Sequence, residues 1–146
     1  MRRRAAIIIL PLVPLATSLF GVHAARAQSC RATAADLQAL RDNLEIIRNQ
    51  VRAARNETGS EKEPAADAVA GAIRALEDAA GHAIAPSPDS KVITVPRGTK
   101  HPHMQVIQQA FGAAQHAFDA ARCAMPGPVE PLQRAMANLD SALQFR

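Results

Sequence analysis

Residues 104–125 read MQVIQQAFGAAQHAFDAARCAM. Met104, Ile107, Phe111, Ala114, Phe118, Ala121 and Met125 step alternately by three and four, with glutamines, His116 and Asp119 between them. At 3.6 residues per turn such positions line up as one apolar stripe with a polar face opposite, which is the pattern of an amphipathic helix. Three more segments carry the same alternation: Leu37, Leu40, Leu44, Ile47 and Val51; Val69, Ile73, Leu76 and Ala80; Val129, Leu132, Met136, Leu139 and Leu143. Four stripes without internal repeat predict an all-α protein, a four-helix bundle.

The residues between the stripes agree. Thr33 and Asp36 have the spacing of a capping box at the start of helix 1, and Asn56 to Ser60, containing Gly59, ends it. Pro64 suits the first turn of helix 2 and Gly81 its end. Pro102 opens helix 3, Pro126-Gly127-Pro128 closes it, and Pro131 sits in the first turn of helix 4, which is expected to run almost to Arg146.

One connection is unusually long. Residues 83–101 contain Pro86, Pro88 and Pro96 and have no helical period. Extended, such a segment reaches up to about 60 Å, whereas a 20-residue helix is about 30 Å long. It can therefore cross the whole bundle between helices 2 and 3. Within it, Lys91-Val92-Ile93-Thr94-Val95 is a short β-like run, suited to packing on the bundle or to strand addition by a partner.

The N-terminus reads as a cleavable signal peptide over residues 1–27. Arg2, Arg3 and Arg4 precede the uncharged stretch Ala5 to Val22, and Ala25-Arg26-Ala27 supplies a cleavage site. Pro11 and Pro14 interrupt a stretch that is barely long enough to span a bilayer, so stable membrane insertion after cleavage is not expected. The flanks fit neither a twin-arginine signal nor a lipoprotein site at Cys30. The remaining 28–146 read as a single domain, periplasmic or secreted.

Subtracting the leader changes the charge. The chain has 17 Lys and Arg against 13 Asp and Glu, but Arg2, Arg3, Arg4 and Arg26 lie in the leader, so residues 28–146 carry 13 of each. With zero net charge and neither Trp nor Tyr, nucleic acid is not an expected partner. Cys30 and Cys123, two cysteines in an exported chain, read first as one disulfide. A crossover would bring them to one end of the bundle; without it an intermolecular bond is the alternative.

His101-Pro102-His103-Met104 offers two imidazoles and a thioether at a loop-to-helix junction, ligands suited to copper or zinc, and His82 flanks the same connection. No Cys or carboxylate stands at ligand spacing nearby, so an exposed loop pair is the alternative. Haem is not expected: there is no Cys-x-x-Cys-His, no Met in helix 1 and no His in helix 4. Arg41, Arg48, Arg52 and Arg55 share a face of helix 1 and are expected to pair with Asp67, Glu77 or Asp78 of acidic helix 2. No serine stands in a nucleophile motif, and there is no phosphate loop or metalloprotease signature. The expectation is a non-enzymatic binding or interaction module without a cofactor, its partner another protein or a small molecule. Narrow, Ala-rich stripes also allow a homodimer. A metal-binding protein using the His-Pro-His-Met junction is the alternative.

Overall fold

A computed structural model describes residues 30–54, 62–91, 98 and 100–144. The chain divides into two units, 1–30 and 31–146, and of the first only Cys30 is described. The leader therefore lies outside the described residues, as does the β-like run beyond Lys91. The second unit is all-helical among the described residues. It contains α1 (Ala34–Ala53), α2 (Lys62–Ala80), α3 (Pro102–Ala121) and α4 (Glu130–Leu143), with short 3₁₀ turns at Pro88–Lys91 and Arg122–Ala124.

Each boundary has a local cause. Thr33 N–H donates to Asp36 Oδ2 at 2.7 Å, the reciprocal half of the capping box that starts α1. Gly81, at φ 78°, takes the left-handed position past the end of α2, and its N–H reaches Glu77 O at 2.9 Å. Pro102 occupies the first turn of α3, where a missing N–H costs nothing. Gln144 already stands outside α4, and 145–146 lie beyond the described residues.

The four apolar stripes meet in one core. Leu40, Leu44 and Ile47 of α1, Val69 and Leu76 of α2, Ile107 of α3, and Leu132 and Leu139 of α4 are fully enclosed. α1 packs most extensively on α3, α2 on α4, and α1 also on α2. Alanines explain the closest pair: Ala110, Ala114, Ala117 and Ala121 are all buried on α3, and such small side chains let two helix axes approach. From Asp36 to Val51 no residue of α1 is exposed. It is the enclosed helix of the bundle, its polar positions covered as well as its apolar stripe.

Contacts at the helix ends set the directions. Ile84 and Ala85, just past α2, meet Arg41 and Gln38 in the first half of α1. α3 begins at the other end of α1, where His103 meets Gln50, and runs back along it. Residues 84–91 lie on α1, while the path through 92–97 lies outside the described residues. Cys30 and Cys123 are paired in a disulfide. Cys123 sits in the exposed 3₁₀ turn after α3.

The Pro126-Gly127-Pro128 turn does more than stop a helix. Gly127 N–H donates to Ala79 O at 2.8 Å, pinning the entry of α4 to the end of α2. A Cβ on Gly127 would collide with the Asp78 carbonyl oxygen and stand 2.9 Å from that of Ala79. Both are backbone atoms that cannot swing away. Gly127→Ala is expected to lower unfolding free energy by about 1–3 kcal/mol through this overpacking. Gly71→Ala, inside α2 with nothing within 4 Å of the added carbon, should instead raise it by about 0.5–1 kcal/mol through helix propensity. Urea denaturation of the two variants checks the opposite signs.

Candidate functional site

The histidines singled out in the sequence are not all brought together. His103 is half-buried, and its Nδ1–H donates to Gln50 Oε1 at 2.6 Å, which leaves Nε2 as the open lone pair. His101 precedes α3 in the left-handed conformation, φ 51°, and is exposed. Met104 is half-buried and packs against the core. His82 lies elsewhere: its Nδ1–H donates to Ala80 O at 3.1 Å, at the end of α2. The next residues meet α1 at Arg41, nine positions and about 14 Å along the helix from Gln50. His82 is therefore not brought to His101 and His103. Among the described residues no three His, Cys, Asp or Glu side chains are placed to hold a metal ion. His116 is exposed, as expected.

Arg41 and Arg48 do not pair as the charge pattern suggested, and Arg55 lies outside the described residues. Arg41 and Glu45 are buried, 5% and 3% exposed. Arg41 Nη1 bonds Glu45 Oε2 at 2.8 Å, and Arg48 Nη2 bonds Glu45 Oε1 at 2.6 Å. Their shared partner comes from the same helix, one turn from each arginine, rather than being Asp67, Glu77 or Asp78 of α2. Spacings of three and four place these groups side by side once the helix forms, so no second helix need be reached. The cluster also holds the connection. Arg41 Nε donates to Ile84 O at 3.0 Å, Gln38 Nε2 to Ala85 O at 2.8 Å, and Ser87 N–H to Asp42 Oδ1 at 2.7 Å.

These contacts set the acidity of two carboxyls. Burial works to raise the Glu45 pKa, but the hydrogen bonds and charges of Arg41 and Arg48 outweigh it and hold the group below its ordinary 4.5. Burial likewise opposes ionisation of Asp42. The bonds from Ser87 and Gln38 and the Arg41 charge win there too, and its pKa falls below the ordinary 3.8. The arrangement is structural in character, since every group is already satisfied by the fold except Arg48 Nε, which is buried without a partner among the described residues.

The open surface lies at the opposite seam. α3 and α4 make far less backbone contact than the other adjoining pairs, and two half-open cavities lie along the cleft between them. The first, about 220 Å³, is lined by Met104, Ile107, Gln108, Phe111, Asp140, Leu143 and Gln144. The second, about 360 Å³, is lined by Gln115, Phe118, Asp119, Gln133, Met136, Ala137 and Asp140. Both have apolar floors and glutamine rims, and Asp140 stands between them. Among the described residues only Asp119 and Asp140 bring charge to this lining, both negative. The apolar stripes named these floor residues as core; they gave no sign that the seam stays open.

The chain matches no protein-family model, no curated protein and no solved structure.

Removing the Glu45 carboxylate leaves two guanidinium groups without their shared partner. Glu45→Gln is expected to cost about 3 kcal/mol of stability, read by chemical denaturation. Both carboxyls have folded pKa values below their ordinary ones. Their contribution is thus present above about pH 4.5 and lost as pH falls through the folded values. Unfolding free energy should hold between pH 7 and 5, drop below about pH 4.5, and drop less steeply in Glu45→Gln.

Proposed function

We propose that this chain is an exported, non-enzymatic binding module that takes its ligand in the cleft between α3 and α4. The observation that carries the reading is the cleft itself, an apolar floor with an acidic edge along the least closely packed of the adjoining helix pairs. Apolar clefts with a few placed polar groups are the usual form of ligand sites. The two aspartates select an apolar ligand that carries positive charge. A second copy is a poorer occupant, because mating the two clefts would set Asp119 and Asp140 against their equivalents.

Export is supported by the leader pattern and by the paired cysteines, a bond typical of oxidising compartments. No helix among the described residues is long and apolar enough to cross a membrane. We read the 83–101 connection as a crossover along α1, seated at Gln38, Arg41 and Asp42, that carries the chain to the start of α3 at Gln50.

A second reading keeps copper or zinc at His101, His103 and Met104, without His82. It is favoured by the Gln50 bond to His103, which fixes the tautomer and leaves Nε2 available, as second-shell partners of metal-bound histidines do. Titration with Cu(II) and Zn(II) decides it: stoichiometric binding lost in His103→Ala supports it, and binding unchanged in that variant removes it.

The cleft reading is tested with two probes of one shape and opposite charge, 4-phenylbutylammonium and 4-phenylbutyrate. NMR titration should shift the amides of α3 and α4 with the cation, and more weakly or not at all with the anion. The shifts should vanish in Phe111→Asp. Cation shifts scattered over α1 and α2, or none, would overturn the reading.

A further inference from the structure

Resting on the cleft reading, we infer that the natural occupant is a basic amphipathic helix of a partner protein, which adds a fifth helix along the α3–α4 seam. Two observations argue for a helix over a small molecule. The two cavities are half-open, whereas small-molecule sites enclose most of their ligand. They are also repeated along the seam. Gln108 and Phe111 serve the first where Gln115 and Phe118 serve the second, a shift of seven residues on α3, or about 10 Å. A helix laid in the groove presents side chains with that separation at positions i and i+7, the spacing by which amphipathic helices dock.

The charge supplies the sign of the partner. Asp140, half-buried, stands at both cavities, and exposed Asp119 edges the second. Lys or Arg flanking the two apolar anchors would reach them, while uncharged Gln108, Gln115 and Gln133 offer hydrogen bonds to a partner's polar flank without repelling it. Phe111 and Met104 keep exposed surface in the first cavity, which is apolar area that the docked anchor would cover.

The test uses the purified protein and a fluorescently labelled amphipathic peptide of about 18 residues, long enough to span both cavities. Leucines are set at helical spacing with lysines beside them, and a second peptide has glutamate for each lysine. Anisotropy should report binding of the lysine peptide, weakening with added salt, and at least tenfold weaker binding of the glutamate peptide. Asp140→Asn should weaken the lysine peptide about two- to five-fold and Asp119→Asn/Asp140→Asn about tenfold, with unchanged far-ultraviolet circular dichroism. Phe111→Asp should abolish binding. Equal binding of the two peptides, or affinity untouched by the double substitution, overturns the inference. So does binding of 4-phenylbutylammonium at the seam without the lysine peptide, an outcome that leaves the cleft reading standing. A dimer that Phe111→Asp dissociates, with no peptide bound, overturns it in favour of a second copy.

Discussion

Much of this bundle turns on one carboxylate. Glu45 sits on α1, the helix that the others enclose, and there it must meet its hydrogen bonds inside the protein. Arg41 and Arg48 do so from one turn before and one turn after. Arg41, once fixed by Glu45, has its Nε turned toward the backbone beyond α2, where it holds Ile84 O. Gln38 and Asp42, on the same side of α1, take the next two residues of contact. A charge satisfied within one helix thus decides where the following connection lies. Buried ion pairs add little net stability over an apolar core but leave few alternative arrangements once formed. That suits a helix which needs a particular neighbour on each side.

The bundle closes unevenly, and side-chain size gives the reason. Interaxial distance depends on the residues at the contact. α3 offers α1 a row of alanines and the two helices pack closely. Toward α4 it offers Met104, Phe111 and Phe118, against Met136 and Leu143. Large side chains hold the axes apart and fill the gap only in part. Gly127 acts in the same direction, because its bond to Ala79 draws the start of α4 onto α2. Helix α4 cannot serve both neighbours equally, and the seam with α3 is the one left open.

The helices were legible in the sequence because a packed stripe writes its period directly into the chain. Leu40, Leu44, Ile47, Leu76, Ile107, Leu132 and Leu139 were all named by spacing and are all enclosed. The caps were legible for a similar reason: Thr33 with Asp36, Gly81 and Pro102 each answer a local backbone requirement. Burial of Arg41 and Glu45 was not, since an amphipathic reading assigns polar positions to solvent and cannot foresee a second layer over them. Their i, i+4 spacing was the available sign, overshadowed by the net charges of helices 1 and 2. The cleft was hidden on different grounds. A stripe tells which face is apolar, but the distance between two facing stripes depends on both helices together.

Neutrality of residues 28–146 as a whole does not weaken the case for a charged site. Net charge governs long-range steering and solubility, whereas recognition in a cleft depends on charges within roughly a Debye length, about 8 Å at physiological salt. The positive groups of α1 illustrate the difference. Arg41 and Arg48 count fully toward the total, yet both are committed to Glu45. Asp119 and Asp140 have no such partner lining the cleft beside them. Two positive groups are committed to holding the enclosed helix in place, and two negative ones line the open seam. A chain with no overall charge can in this way present a local acidic edge over apolar ground, and that edge makes the seam selective rather than merely sticky.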